Sequence, residues 1–247
     1  MDINLPVVNA PYLDVSGLQL AWASNTTLTM LAGSARNSTN QADIILPLAV
    51  TINGATNGIN GLDTGVLVLS TLYTIYAVGD STNNNVPGAV LSASAVSPTL
   101  PVGYDMWRAI GYIRTDASVH FLLGYWFGSA NDRLFTYDVP IATAVTAGAS
   151  ATYAAVTLAT FVPAVGNLPV LIECNWTANA ANDTLALQGF ASTGDTVKYI
   201  APVAGATAHT IVRDYVSAQL DSGVSKINYK VSAAAVAINV AGYQYCI

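Results

Sequence analysis

Lys226-Ile227-Asn228-Tyr229-Lys230-Val231 alternates polar and apolar side chains without a break. Successive side chains of an extended chain point to opposite faces, so Ile227, Tyr229 and Val231 share one face and the two lysines the other. That period predicts a half-buried strand. The same period recurs upstream. Val170, Ile172, Cys174 and Trp176 stand opposite Leu171, Glu173 and Asn175; Val119, Phe121, Leu123, Tyr125 and Phe127 form another apolar face, and Ile44, Leu46, Leu48, Val50 and Ile52 a further one. Pro47 in the last run points to an edge strand or a bulge, because it has no N–H to give a ladder. Val66 to Val78 (VLVLSTLYTIYAV) is apolar on both faces and predicts a central strand covered on each side.

Turn chemistry separates these runs: Asn53-Gly54, Asn57-Gly58, Asn60-Gly61, Asp80 to Asn85, Asn131-Asp132, Asn182-Asp183, Gly194-Asp195 and Asp221-Ser222-Gly223. Of fourteen acidic residues thirteen are Asp and one is Glu, a balance that suits turns and strands better than helices. The chain is therefore expected to be all-β, an antiparallel β-sandwich or jelly roll. Its 247 residues suffice for one large β domain or two smaller ones. The uncharged Ala- and Thr-rich stretch 141–155 suggests a division into two tandem domains, 15–145 and 150–247, behind an N-terminal arm, 1–14, that carries Pro6 and Pro11. A strand crossing between the sheets of one domain is the alternative for that stretch.

Hydrophobic residues make up 53% of the chain and charged ones only 9%, against about 25% in an ordinary soluble domain. So low a charge leaves little repulsion to oppose self-association. Eight scattered Lys and Arg against fourteen acids argue against nucleic acid as a partner. No apolar run is long enough for a membrane span, and Met1 to Pro6 lacks the pattern of a secretory signal, so folding in a cytoplasm is expected. Cys174 and Cys246 are too few for a disulfide framework; Cys174 is expected as a small core residue.

A search for chemistry returns turns and strands. Gly79-Asp80-Ser81 matches the nucleophile motif of GDSL-type esterases, but those enzymes need Asp-x-x-His near the C-terminus, and this chain has Asp116-x-x-x-His120 in mid-chain. Asn53 to Gly65 (NGATNGINGLDTG) lacks both the spacing and the lysine of a phosphate loop. Asn57, Asn60 and Asp63 offer oxygens for an irregular calcium site without the alternation of an EF-hand. His120 and His209 are isolated from each other and have no zinc spacing. Trp22, Trp107, Trp126 and Tyr243 could stack on sugars if exposed, although in strands they are expected in the core. Arg108 and Arg114, six apart, are expected on one strand face, paired with Asp105, Asp116 or Asp138. No catalytic residue, cofactor-binding residue or metal ligand is assigned.

Several short words recur together: Leu31-Ala32-Gly33-Ser34-Ala35-Arg36-Asn37-Ser38, Gly61-Leu62-Asp63-Thr64-Gly65, Tyr73-Thr74-Ile75-Tyr76, Leu100-Pro101-Val102-Gly103-Tyr104-Asp105, Arg108-Ala109-Ile110-Gly111 and Thr115-Asp116. Over residues 15–140 the chain resembles a module of virion structural proteins of tailed bacteriophages, found in head-decoration and tail-fibre-like proteins. Val156 to Phe190 resembles a second β module of that sort. The resemblance implies a β-sandwich or jelly-roll subunit, commonly a homotrimer, that coats or cements the capsid by contact with the major capsid protein, or attaches to the tail as a fibre or adhesin. It carries over no catalytic residue and no cofactor, and it implies a place in the virion.

Overall fold

The computed structural model describes residues 15–129, 132–165, 168–177, 184–189, 198–200, 209–231 and 236–246. The arm 1–14, Asn131, Asn182-Asp183 and Gly194-Asp195 lie outside the described residues, as does any side chain of Trp176 or His209.

The described secondary structure is all-β, with sheets that are antiparallel but for the pair β7–β9 and arranged as in a β-sandwich. In chain order the strands are β1 (Val15–Gly17), β2 (Leu20–Trp22), β3 (Thr27–Met30), β4 (Gly33–Arg36), β5 (Asp43–Leu46), β6 (Val50–Asn53), β7 (Gly61–Leu62), β8 (Leu72–Gly79), β9 (Gly88–Ser92) and β10 (Met106–Arg114). There follow β11 (Gly124–Ser129), β12 (Asp132–Gly148), β13 (Ala154–Thr157), β14 (Leu168–Thr177), β15 (Leu185–Gly189), β16 (Lys198–Ile200), β17 (His209–Asp221), β18 (Val224–Val231) and β19 (Val236–Cys246). Two small sheets, β1-β4-β5 and β2-β3-β6, adjoin a four-stranded sheet, β10-β8-β9-β7. The largest sheet runs β11-β12-β19-β14-β17-β18-β15-β16, with β13 on β18. Residues 124–148 therefore ladder with the C-terminal strands, and β12 keeps pairing with β19 as far as Gly148↔Val236, across several register shifts.

One apolar cluster runs from Val15 through β3, β8, β14 and β18 to Tyr245. A smaller cluster of Tyr76, Val78 and Val90 lies on the other face of β8 beneath Leu100, Tyr104 and Trp107. The central strand β8 is thus buried on both faces, as its composition requires. In β18, Ile227, Tyr229 and Val231 are buried and Lys230 is exposed. Leu168, Val170, Ile172 and Cys174 face the core from β14, and both thiols are free, Cys246 being exposed. Burial pushes the Cys174 thiol up to about 12.

Three sequence expectations are corrected. The run Ile44 to Ile52 is two strands: Pro47 ends the edge strand β5, Leu48 is exposed, and burial resumes only at Ile52. In the run Val66 to Val78 the strand begins at Leu72, while Val66, Val68 and Leu69 sit exposed in the loop before it. In the run Val119 to Phe127, Val119 sits in a turn at φ 65° and Phe121 is buried, but Leu123, Tyr125 and Phe127 face solvent. Both faces of that strand are apolar, so period two alone could not choose the inner one. Trp126 packs inward against Phe135, at 4.9 Å between ring centroids.

Arg133 joins these parts. Its guanidinium is fully buried and donates to the carbonyls of Gly17 and Leu18, each at 2.8 Å, and of Ile110 at 3.5 Å. It thereby ties β12 to the end of β1 and to β10. Around it Tyr112, Trp126, Phe135, Tyr137, Tyr243 and Tyr245 form an edge-on and tilted aromatic cluster. Desolvation raises the pKa of the phenols of Tyr137, Tyr243 and Tyr245 and keeps them neutral, against the opposing pull of Arg114 on Tyr137 and of Arg133 on Tyr245. Replacing Arg133 by Met strands buried carbonyls, each worth about 1–3 kcal/mol. R133M is expected to lower the urea midpoint by an amount equivalent to roughly 3 kcal/mol or more at unchanged m-value. A loss below about 1 kcal/mol would mean that the clamp is not structural.

Candidate interaction surface

The three motifs with enzymatic or metal-binding overtones resolve into backbone-organising loops. Asp80 is buried, and its carboxylate accepts from the backbone N–H groups of Thr82, Asn84 and Asn85, the hydroxyl of Thr82 and the amide of Asn85. These donors, the Thr82 hydroxyl foremost, hold it down to about 2. Ser81 donates to Asp105, across the corner that Tyr104 N–H closes onto Pro101 and that Gly103 enters at φ 88°. His120 lies in a separate loop 3.7 Å from Asp116, whose carboxylate also accepts from the backbone N–H of Ser118 and His120. Ser81 and His120 are not brought together.

In the glycine-rich loop, Asp63 accepts from the N–H groups of Thr64 and Thr99, and Asn60 from the N–H of Ala89. These oxygens brace β7 against β9. Asn60 and Asp63 thus serve as loop fasteners, through side chains that favour such local bonds, while Asn57 forms a backbone bridge with Leu62.

The two β10 arginines part company, against the expectation of a shared face. A bulge between Ala109 and Gly111 inserts Ile110, so that Arg108 stands opposite Ala77 and Arg114 opposite Leu72, on opposite faces. Among the described residues neither makes a direct salt bridge with Asp105, Asp116 or Asp138, although Arg114 and Asp116 act on each other at longer range. Arg114 instead donates to the Thr160 carbonyl at 2.6 Å and lies 5.2 Å from the centre of the Phe161 ring, whose carbonyl accepts from Tyr137 at 2.9 Å. Period two missed this because one extra residue inverts every side chain after it.

Trp126 and Tyr243 are core residues, and Trp22 is partly buried with its indole N–H on the Phe121 carbonyl at 3.1 Å. The exposed aromatics are others. Tyr125 and Phe127, 46% and 51% exposed, neighbour each other at 6.4 Å between ring centroids. The strand register extends their row across the outer face of the large sheet: Tyr125 is opposite Thr136, Thr136 opposite Gly242, Gly242 opposite Leu171 and Leu171 opposite Tyr215. Phe127 starts a parallel row through Leu134 to Gln244. Gly242 is forced by close packing, since a Cβ there would lie 2.3 Å from the Phe135 carbonyl oxygen. Farther along the same face a polar group closes the strip: Arg213 donates to Glu173 at 2.8 Å, and Asn239 donates to its other oxygen at 3.3 Å. The outer strand of the row, β11, is at the edge of the sheet.

No family model matches the chain, and no curated protein matches it. Among solved structures it overlaps the structure of infectious bursal disease virus, Gx strain, at 13% identity, covering 97% of this chain and 74% of that one, with a TM-score of 0.24. An overlap that loose carries no inference about this chain.

The Asp80 loop has an acid limit with a definite sign. Because the folded carboxyl sits near 2, below its ordinary 3.8, its contribution to stability is complete above about pH 4 and lost as pH falls toward 2. Thermal midpoints of the wild type are therefore expected to drop over that window, and those of D80N to start lower and drop less. Parallel curves would rule out Asp80 as the group responsible.

Proposed function

We propose that this protein is a non-enzymatic structural component of a phage particle, a decoration or cement subunit that coats the head. The observation that carries the reading is the outer face of the large sheet, where Tyr125 and Phe127 of the edge strand β11, with Leu171 and Tyr215, form a partly exposed apolar strip. Apolar area of this kind is what association buries. The low charge content lets such faces approach without strong repulsion. The motifs that resembled catalytic or phosphate loops hold backbone instead, which fits a protein that acts through its surfaces. The particle context of this reading comes from the sequence's resemblance, in short words, to tailed-phage virion modules. In this reading the protein assembles as a homotrimer, attaches to the major capsid protein and resides in the virion. Three attachments per trimer turn weak contacts into lasting occupancy.

Light scattering of the purified protein, with and without chelator, tests this first. A trimer indifferent to chelator is expected, and so is its retention on empty capsids; a monomer at all concentrations, with no capsid binding, would overturn the reading. The double variant Y125S/F127S is expected to remain folded with only a modest drop in thermal midpoint, since both side chains are about half exposed and Tyr125 loses its bond to Asp138, yet to shift the assembly toward monomer by about tenfold or more in dissociation constant. An unaltered association constant would move the interface elsewhere.

A second reading, a tail-associated adhesin, is favoured by the exposure of Tyr125 and Phe127 side by side, since such rings stack on sugar faces. A glycan array separates the two: saturable binding abolished in Y125S/F127S selects the adhesin.

A further inference from the structure

Arg108 is a half-buried cation without an ion-pair or hydrogen-bond partner among the described residues. Burial partly desolvates its guanidinium and lowers its pKa, and no acidic group among the described residues offsets that cost. The Ile110 bulge sets Arg114, which donates to the Thr160 carbonyl, on the other face of the strand from Arg108. Arg108 lines a cavity of about 270 Å³ on the open side of β10, the edge strand of its sheet. Trp107, Tyr112, Tyr245 and the exposed Val96 supply the rest of the wall. A second cavity, of about 330 Å³, shares Tyr112, Tyr245 and Cys246 with the first and continues to Val165 and Pro169. The two cavities adjoin at Tyr112, Tyr245 and Cys246 as a largely apolar groove, with Arg108 on the wall of the first.

Backbone groups beside Arg108 are already occupied. The Trp107 carbonyl accepts from the Ser38 N–H, and the Ile110 carbonyl accepts from Arg133. Recognition by Arg108 is therefore a matter of its side chain, a planar fork of donors suited to a carboxylate. The groove's length and apolar walls call for more than a small anion.

We propose that this groove binds an extended peptide segment of a partner protein, with an aspartate or glutamate of that segment paired to Arg108 and its apolar side chains against Tyr112 and Tyr245. The site is separate from the aromatic strip of the outer sheet face and holds whether or not the protein coats a phage head.

The probe is a fluorescein-labelled octapeptide of alternating valine and threonine with one central aspartate, set against the same peptide with asparagine. Anisotropy titrations of the full chain are expected to show the asparagine peptide binding about tenfold or more weakly. R108Q is expected to erase the difference while leaving the thermal midpoint unchanged, and saturating aspartate peptide to slow alkylation of the exposed Cys246. R108K, which keeps the charge and loses the fork, is expected to fall between. Equal affinity of the two peptides, discrimination surviving in R108Q, or no binding of either at roughly 1 mM would overturn the proposal. So would wild-type self-association that R108Q abolishes, which would place an acidic segment of a second copy in the groove.

Discussion

A guanidinium buried among backbone carbonyls is the constraint on which the rest of this structure hangs. Arg133 is always charged, and taking it out of water costs several kcal/mol unless its donors are met. They are met by Gly17, Leu18 and Ile110, which come from two different sheets. The position of Leu18 at φ 51°, an unfavourable conformation for a branched residue, is held where its carbonyl meets that charge. The Ile110 bulge also acquires a reason here: its carbonyl faces Arg133 and the Tyr245 hydroxyl. The same bulge separates Arg108 from Arg114, so a structural clamp and the exposed chemistry of the groove share one local irregularity.

Much of the architecture was legible because the apolar faces had to be. The alternation in 226–231 and 168–174 is strict, and its buried side is the one with branched and aromatic residues, so strand and orientation follow together. Orientation was illegible where both faces were apolar. Tyr125 and Phe127 read as core because nothing in a single strand says that Trp126 and Gly124 fit against Phe135 better. The row from Tyr125 to Tyr215 was out of reach for a second reason: it is assembled from five strands, and register between distant strands leaves no local mark in the sequence.

Loop chemistry fared differently. Asp80, Asn60 and Asp63 were recognisable as turn residues, and they act as such, each saturating backbone donors. What no spacing rule conveyed is how completely they are used. A carboxylate that already accepts several hydrogen bonds has little left for a ligand, whereas Arg108, embedded in an unremarkable strand, has all its donors free among the described residues. Residues that catch the eye as motifs were spent on the fold, and the uncommitted group lay outside any motif.

The ladder of β12 and β19 also sets a schedule for synthesis. β12 begins at Asp132 and its partner β19 ends at Cys246, so the strand that carries the Arg133 clamp must wait until β19 has left the ribosome. Until then Phe135 and Tyr137 have no Tyr243 to pack on, and β11 and β12 present an incomplete, aromatic sheet edge to the crowded cell. Contacts of such long sequence separation form slowly. Nascent chains of this protein are thus most vulnerable to mispairing with one another while the roughly hundred residues between β12 and β19 are being translated, and brisk elongation through that stretch or a holding chaperone would protect them more than any added stability in the finished fold.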